Sequence, residues 1–314
     1  MKNEVPFISG GVACAAWHVP ATTDRLQDKE ASRPCVILGP GLGGTRDTGL
    51  PAYAEEFARA GIDAFVFDYR GFGDSDGVPR QDVSARRQRQ DYRAAVAATR
   101  RLPGVDPERV AVWGASNSGG HVFAVAAVDP TIAAVVSMTP ATDGLAVLRH
   151  ALRESGPAHL VRLTGHGMWD LVSAPIMRAP HYVPLVGSPG TTALMTVPGA
   201  VEALTSMSGS AWLNQVRARA ALRVAFNRPV RFAHRLVCPI LIQVGVDDRL
   251  APPAAARRAA AKARACADLE LREYPVDHFD VYDPHWQPQM VADQITFLRR
   301  VLAPKRLPRS APDS

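Results

Sequence analysis

Short apolar runs alternate along this chain with longer segments that have helical spacing. Runs that suit buried strands lie at 35–38, 64–67, 110–113, 132–138 and 240–244, and the segment 269–274 is expected to add the strand that closes the sheet. Segments with the spacing of amphipathic helices lie at 51–60, 82–101 and 288–302. Because strands that alternate with helices form a parallel sheet covered on both faces, the pattern predicts an α/β fold. Two further runs, 5–9 and 12–19, flank Gly10-Gly11 and predict a hairpin that adds an antiparallel edge.

The alternation of strands and helices stops at Pro140 and resumes at Pro239. Between them, 143–170 and 209–225 have helical spacing, whereas five prolines at 171–198 argue against a long helix there. An insertion at the carboxyl edge of the sheet, where open α/β sheets bind ligands, predicts a largely helical cap. The chain is therefore divided into a first core part at 1–139, a cap at 140–235, a second core part at 236–303 and a flexible tail at 304–314.

Composition narrows the class of protein. The 314 residues are 47% hydrophobic, which suffices for one large core. Apolar runs stay well below the roughly 18 residues that a membrane span needs, and the N-terminal segment does not resemble a signal peptide. The four cysteines lie far apart without a Cys-x-x-Cys pair, which indicates reduced thiols, and we expect a cytoplasmic protein.

The net charge and the spacing of the histidines bear on whether the protein binds nucleic acid, a metal or a phosphate. The net charge is +6, but the arginines are scattered and lack interleaved aromatic residues, so we expect no nucleic-acid partner. No pair of histidines has metal-ligand spacing, and the glycine-rich run at 39–44 lacks a lysine that would bind phosphate. We therefore expect neither a metal nor a cofactor.

The sequence Gly-Ala-Ser-Asn-Ser-Gly-Gly at 114–120 joins a buried strand to an apolar helical stretch. A serine on such a sharp strand-to-helix turn is a nucleophile elbow, and small neighbours are required because the turn is strained. Ser116 is the candidate nucleophile, and the helix that follows it directs free N–H groups at an anion formed there. The simpler alternative is a glycine-rich turn with a capping serine.

A serine nucleophile needs a base and an acid that orients the base. Asp248 follows the strand at 240–244, and His278 follows the strand at 269–274. The carboxyl ends of parallel strands meet at one edge, so these side chains are expected near Ser116. Asp247 and Asp143 remain alternatives for the acid.

Four motifs together resemble the α/β-hydrolases, over roughly residues 5–140 and 236–303. They are Pro-Gly-Leu-Gly-Gly at 40–44, Asp-Tyr-Arg-Gly-Phe-Gly-Asp-Ser at 68–75, the elbow, and the Asp and His loops. The resemblance implies a mostly parallel sheet with a cap inserted after its sixth strand. It favours Asp248 as the acid, since the acid commonly follows a glycine by three residues. It also implies an oxyanion hole made by the backbone amides of Leu42 and Asn117.

The resemblance implies a serine hydrolase that cleaves an ester or thioester of a bulky apolar acyl substrate through an acyl-enzyme. The chain is also similar to α/β-hydrolases attached to polyketide pathways, which implies acyl transfer or acetate elimination with His278 as base. The substrate is then a small acylated molecule, a polyketide or a carrier-bound intermediate. A non-catalytic ligand binder is a third hypothesis. His166, Trp169, His181 and Tyr182 are candidates to line the substrate pocket, with core packing as the alternative role.

Overall fold

The computed structural model describes residues 2–177, 179–266 and 268–304, so the predicted tail lies outside it except for residue 304. Its strands are β1 (Asn3–Glu4), β2 (Phe7–Ser9), β3 (Val12–Cys14), β4 (Ala16–Val19), β5 (Arg33–Gly39), β6 (Asp63–Phe67), β7 (Val105–Ala115), β8 (Ala134–Met138), β9 (Tyr182–Val183), β10 (Val216–Arg217), β11 (Ile240–Gly245) and β12 (Leu269–Tyr274). Its helices are α1 (Leu50–Arg59), α2 (Ala85–Thr99), α3 (Ser116–Ala126), α4 (Gly144–Met177), α5 (Ala200–Met207), α6 (Ala220–Arg223), α7 (Pro253–Lys262) and α8 (Gln287–Val301).

Eight of the strands form one sheet in the order β1-β4-β6-β5-β7-β8-β11-β12. From β6 to β12 neighbouring strands run parallel, which confirms the predicted α/β fold. The antiparallel edge is made by β1 and β4. The predicted hairpin forms between β2 and β3, as a separate two-stranded sheet, and residues 16–19 of its second run form the antiparallel edge as β4. The second run is divided after Cys14, where the chain leaves the hairpin and returns to the main sheet as β4, and the run of apolar residues at 12–19 does not reveal this division.

The sheet is covered on both faces, and each face has its own apolar core. Tyr53 and Phe57 of α1 pack with Phe297 of α8 on one face. Tyr92 of α2 and Phe123 of α3 pack on the other face. The strands between these layers are buried along β5, β6, β8 and β11, which explains why their sequences are apolar throughout rather than alternating.

The insertion between β8 and β11 is helical in part. Helix α4 runs through most of its first half and is broken at Gly156, whose backbone (φ 79°, ψ 167°) is accessible mainly to glycine. The predicted helix at 209–225 was wrong, because β10 pairs with β9 there and only the short α6 and a 3-10 turn follow. The predicted absence of a long helix at 171–198 is confirmed for the described residues, since α4 ends at Met177 and the next helix begins at Ala200. Within the described residues no helix is long and apolar enough to cross a membrane.

Candidate active site

Ser116 occupies a strained turn between β7 and α3. Its φ of 54° lies in the left-handed region, which is unusual for a residue with a side chain. A Cβ at Gly114 would lie 2.3 Å from the Ser118 carbonyl oxygen, and one at Gly119 would lie 3.0 Å from that of Met138. Small residues are therefore required around Ser116, because the strand and the helix cross there at close range.

Buried tyrosines hold this turn in place. The Tyr69 hydroxyl lies 2.6 Å from the Ser118 hydroxyl, which in turn donates to the Pro40 carbonyl. The Tyr92 hydroxyl accepts the Trp113 backbone N–H at 3.1 Å and lies 2.7 Å from the Ile37 carbonyl oxygen. These bonds tie the ends of β5 and β7 together, so the loop after β5 is fixed beside Ser116.

The structure brings Ser116, His278 and Asp248 into one chain of hydrogen bonds. The Nε2 atom of His278 lies 2.9 Å from Ser116 Oγ, and its Nδ1 atom lies 2.8 Å from Asp248 Oδ2. The backbone N–H groups of Leu250 and Ala251 donate to Asp248 Oδ1 at 2.8 and 2.7 Å. The Asp248 carboxylate is therefore held by backbone donors on one oxygen and presents the other to the imidazole.

The environment of His278 favours proton uptake. Burial lowers the pKa of His278, but the charge of Asp248, the hydrogen bond to it and the nearby Asp277 outweigh burial, so the pKa is raised above 6.5. Asp277 itself binds Arg249 and accepts the backbone N–H of His278 at 2.7 Å. It therefore shapes the loop rather than standing free in solvent.

The two alternative acids lie elsewhere. Asp247 is exposed, whereas Asp248 is buried. Asp143 binds the guanidinium group of Arg228 at 2.9 and 3.0 Å. Burial raises the pKa of Asp143, but its hydrogen bonds to Arg228 and Leu145 outweigh that effect and lower it below the usual range. Of the three candidate carboxylates, Asp248 is the one with a hydrogen bond to His278 in the described structure.

The residues expected to form an oxyanion hole, Leu42 and Asn117, line the same cavity as Ser116 and His278. A Cβ at Gly41 would lie 3.5 Å from Ser116 Cβ, so the loop after β5 passes directly beside the serine. Asn117 is the second residue of α3, where backbone N–H groups have no partner within the helix. The arrangement therefore offers backbone donors next to a serine hydroxyl.

The cavity has a volume of about 190 Å³ and a largely apolar wall. Besides the core residues, the insertion supplies much of that wall: Val147, Leu148, Ala151, Leu160, Leu163, Leu194, Met195 and Val197. His159, which is 4% exposed, also lines it, and its Nδ1 atom has no hydrogen-bond partner within the described residues. The site is thus suited to an apolar group placed against Ser116.

The predicted pocket residues of the insertion are not among those lining this cavity. The His166 and His181 rings stack on each other, with Nδ1 and Nε2 2.7 Å apart. Trp169 is 55% exposed, and the Tyr182 hydroxyl donates to the Arg80 carbonyl. The side chains that do line the cavity include Val147, Ala151, Ser155, His159 and Leu163. The first three are four residues apart before the break at Gly156 and the last two are four residues apart after it, and this spacing is the signal for each of the two helical segments.

Known proteins resemble this chain in sequence and in fold. A family described as serine aminopeptidase, S33, matches residues 30–276. The quorum-quenching protein AidA of Acinetobacter baumannii (strain MDR-ZJ06) is 37% identical over 304 residues, which are 96% of each chain. The thiohydrolase aneE of Aspergillus aculeatus is 33% identical over 138 residues, 44% of this chain and 43% of its own.

A third relative is similar to this chain in sequence, and a solved structure under the same protein name is similar to it in fold. The polyketide transferase grgF of Penicillium sp. is 29% identical over 191 residues, 60% of this chain and 59% of its own. The crystal structure of the α/β-hydrolase GrgF from Penicillium sp. sh18 superposes with a TM-score of 0.77 at 23% identity, covering 96% of this chain and 99% of that one. The chain therefore belongs to the serine aminopeptidase S33 family of α/β-hydrolases. It is an enzyme of the α/β-hydrolase class.

Proposed function

We propose that this enzyme is a serine hydrolase that cleaves an ester or thioester of an apolar acyl substrate, with Ser116 as nucleophile. The observation that supports this most is the chain of hydrogen bonds from Ser116 through His278 to Asp248, at the wall of an apolar cavity. A serine hydroxyl becomes a useful nucleophile when a neighbouring imidazole takes its proton. The buried Asp248 fixes the imidazole tautomer that leaves Nε2 free to accept it.

The reaction proceeds in two halves. Ser116 Oγ attacks the carbonyl carbon while its proton passes to His278 Nε2, and the amides of Leu42 and Asn117 stabilise the oxyanion. The intermediate collapses, the carbon–oxygen or carbon–sulfur bond to the leaving group breaks, and His278 protonates that group. Water, deprotonated by His278, then attacks the acyl-enzyme, releases the acid and restores the Ser116 hydroxyl.

The insertion serves as the cap in this proposal, with the core parts at 1–139 and 236–303 and the cap at 140–235. Apolar side chains from α4 and from residues 194–197 face the same cavity as Ser116, which supports a substrate with an apolar acyl chain. A relative named as a thiohydrolase supports an acyl thioester as substrate.

Acyl transfer is the second candidate, because a relative is named as a polyketide transferase. The first half of the reaction is unchanged, and a substrate hydroxyl replaces water in the second. Elimination of acetate is a further alternative on the same site, with His278 as base and the oxyanion hole stabilising the developing anion.

Labelling with a serine-directed phosphonate tests the nucleophile. We expect one phosphonyl adduct on Ser116, located by peptide mass spectrometry. The Ser116→Ala variant should show no adduct and no turnover of an activated acyl ester, while the exposed Ser206→Ala control keeps both. An adduct on Ser118, or full turnover by a folded Ser116→Ala variant, would show that the nucleophile is misassigned.

A further inference from the structure

A second concave site lies next to the cavity that holds Ser116. Its volume is about 410 Å³, and it is lined by α2, α3 and the insertion. We call it the arginine cleft, after the residues that give it its character: Arg86, Arg89, Arg93 and Arg223, with the rings of Phe226 and Phe232. The residues lining the cleft in the described structure include four arginines and no carboxylate.

Three of these arginines lack an anionic partner. Arg86 and Arg93 are exposed, and neither forms an ion pair with a described residue, whereas Arg223 binds Asp82 at 2.7 Å. Arg89 packs its guanidinium group 5.3 Å from the Phe232 ring centre and donates to the Asn227 side chain. Its Nε atom is buried without a partner among the described residues, and burial lowers the pKa of Arg89.

A partly buried cation without a counter-charge is costly, because the attraction that would offset its desolvation is missing. Among the three arginines this cost applies to Arg89, which is partly buried, and a bound anion would offset it. Several guanidinium groups in one concave site suit a phosphate, whose oxygens accept paired hydrogen bonds from the planar fork of arginine. The rings of Phe226 and Phe232 add apolar surface beside the charges. The cleft therefore fits a ligand that is anionic at one end and apolar beside it.

The cleft and the cavity share a wall. Ala85, Arg223 and Asn227 line both. The Asn227 side chain also donates to the Asn117 side chain at 3.0 Å, and the Asn117 amide belongs to the proposed oxyanion hole. The cleft is therefore adjacent to the cavity, and a substrate that occupies both has to pass beside these three residues.

We propose that the arginine cleft binds the phosphate of a phosphopantetheine arm that carries the acyl group as a thioester. This inference rests on the proposed function, because the thioester is the bond that Ser116 cleaves. Coenzyme A and an acyl carrier protein both present this arm. The shared chemistry is the phosphate at the end of the pantetheine, and the two sources are separated by experiment.

The test compares two substrates that differ by one phosphate, acyl-phosphopantetheine and acyl-pantetheine with the same acyl chain. Wild type should show the higher kcat/KM on the phosphorylated substrate. The double variant Arg86→Ala/Arg93→Ala should lose about tenfold on that substrate, mainly in KM, and change less than about twofold on acyl-pantetheine. The matched control, Arg25→Ala/Arg101→Ala, replaces two exposed arginines outside the cleft and should change neither.

Further measurements distinguish coenzyme A from the acyl carrier protein as the source of the phosphate, and failure of this inference from failure of the proposed function. An equal loss by the double variant on acyl-coenzyme A and on the acyl carrier protein supports the shared phosphate. A loss confined to either one overturns it, because other parts of that molecule then make the contact. Equal kcat/KM on the two pantetheine substrates overturns the inference but leaves the proposed function intact. Failure of the proposed function appears separately, as absence of the phosphonyl adduct on Ser116.

Discussion

The imidazole of His278 and the carboxylate of Asp248 are both buried and meet at 2.8 Å, between Nδ1 and Oδ2. The other carboxylate oxygen accepts two backbone N–H groups from the turn that follows, so the carboxylate is held in one orientation. This contact fixes which ring nitrogen faces Ser116. The adjacent Asp247 is exposed, although it lies only one residue earlier in the same loop.

The first prediction compares these neighbouring aspartates. Asp248→Asn should lower kcat by about 10,000-fold, as replacement of the equivalent group does in serine proteases, because the amide stabilises the wrong imidazole tautomer. Asp247→Asn should leave kcat within about twofold, since its side chain is exposed. Steady-state kinetics on an activated ester measure both. A greater loss from Asp247→Asn or Asp143→Asn would assign the acid elsewhere.

The second prediction concerns pH. Turnover needs neutral His278, and burial lowers its pKa less than Asp248 and Asp277 raise it, so the pKa lies above 6.5. The rate should therefore fall as pH drops through a midpoint above 6.5. In Asp248→Asn the largest raising contribution is lost while burial remains, so the midpoint should move to lower pH. The pH profile of kcat/KM measures the midpoint, and a wild-type value at or below 6.5 would contradict this account.

The third prediction separates hydrolysis from elimination. In ¹⁸O-labelled water, hydrolysis places the label in the released acid, because water attacks the acyl carbon. Elimination releases unlabelled acid and leaves a new double bond in the other product. Mass spectrometry of the products distinguishes the two. Acyl transfer gives an acylated alcohol and no labelled acid when an acceptor is in excess.

Variants provide an independent check of the same distinction. For hydrolysis through an acyl-enzyme, Ser116→Ala and His278→Ala should be about equally inactive, because the nucleophile and its base act together and neither works without the other. For elimination, Ser116 contributes at most a hydrogen bond, so Ser116→Ala should keep measurable activity while His278→Ala does not. Retained activity in Ser116→Ala with an alkene product would replace the hydrolase proposal by the lyase.

The sheet was predictable from sequence because its central strands are buried on both faces and carry continuous apolar runs. The runs at 35–38 and 240–244 fall within β5 and β11. Asp248 and His278, which follow β11 and the edge strand β12, could be placed near Ser116 because parallel strands end at one edge. Their roles in catalysis stay predictions until the variants are measured.

The insertion was less predictable because its structure depends on distant contacts. Residues 209–225 have helical spacing, but Val216 pairs with Val183 and the Arg217 backbone N–H donates to the Gln81 carbonyl. No local pattern encodes those partners. The break at Gly156 likewise reorients α4, so the side of the helix that faces Ser116 is not fixed by periodicity alone.

The fourth prediction uses two glycines of α4 to test how the insertion is seated. A Cβ at Gly144 would lie 1.8 Å from the Val224 carbonyl oxygen and 2.7 Å from that of Asn227. Gly144→Ala should therefore push residues 224–227 away from the start of α4. We expect a loss of about 1–3 kcal/mol in unfolding free energy. Gly165 is exposed, and a Cβ there would meet nothing within 4 Å, so Gly165→Ala should gain about 0.5–1 kcal/mol from helix propensity.

Urea unfolding followed by circular dichroism measures both glycine variants against wild type. Gly144→Ala should also lower kcat/KM, because Asn227 lines the cavity and donates to the Asn117 side chain beside Ser116. Gly165→Ala should leave kcat/KM unchanged and so serves as the matched control. The close packing of α4 against residues 224–227 would be refuted if Gly144→Ala were as stable and as active as Gly165→Ala, since a Cβ cannot fit there without displacing backbone.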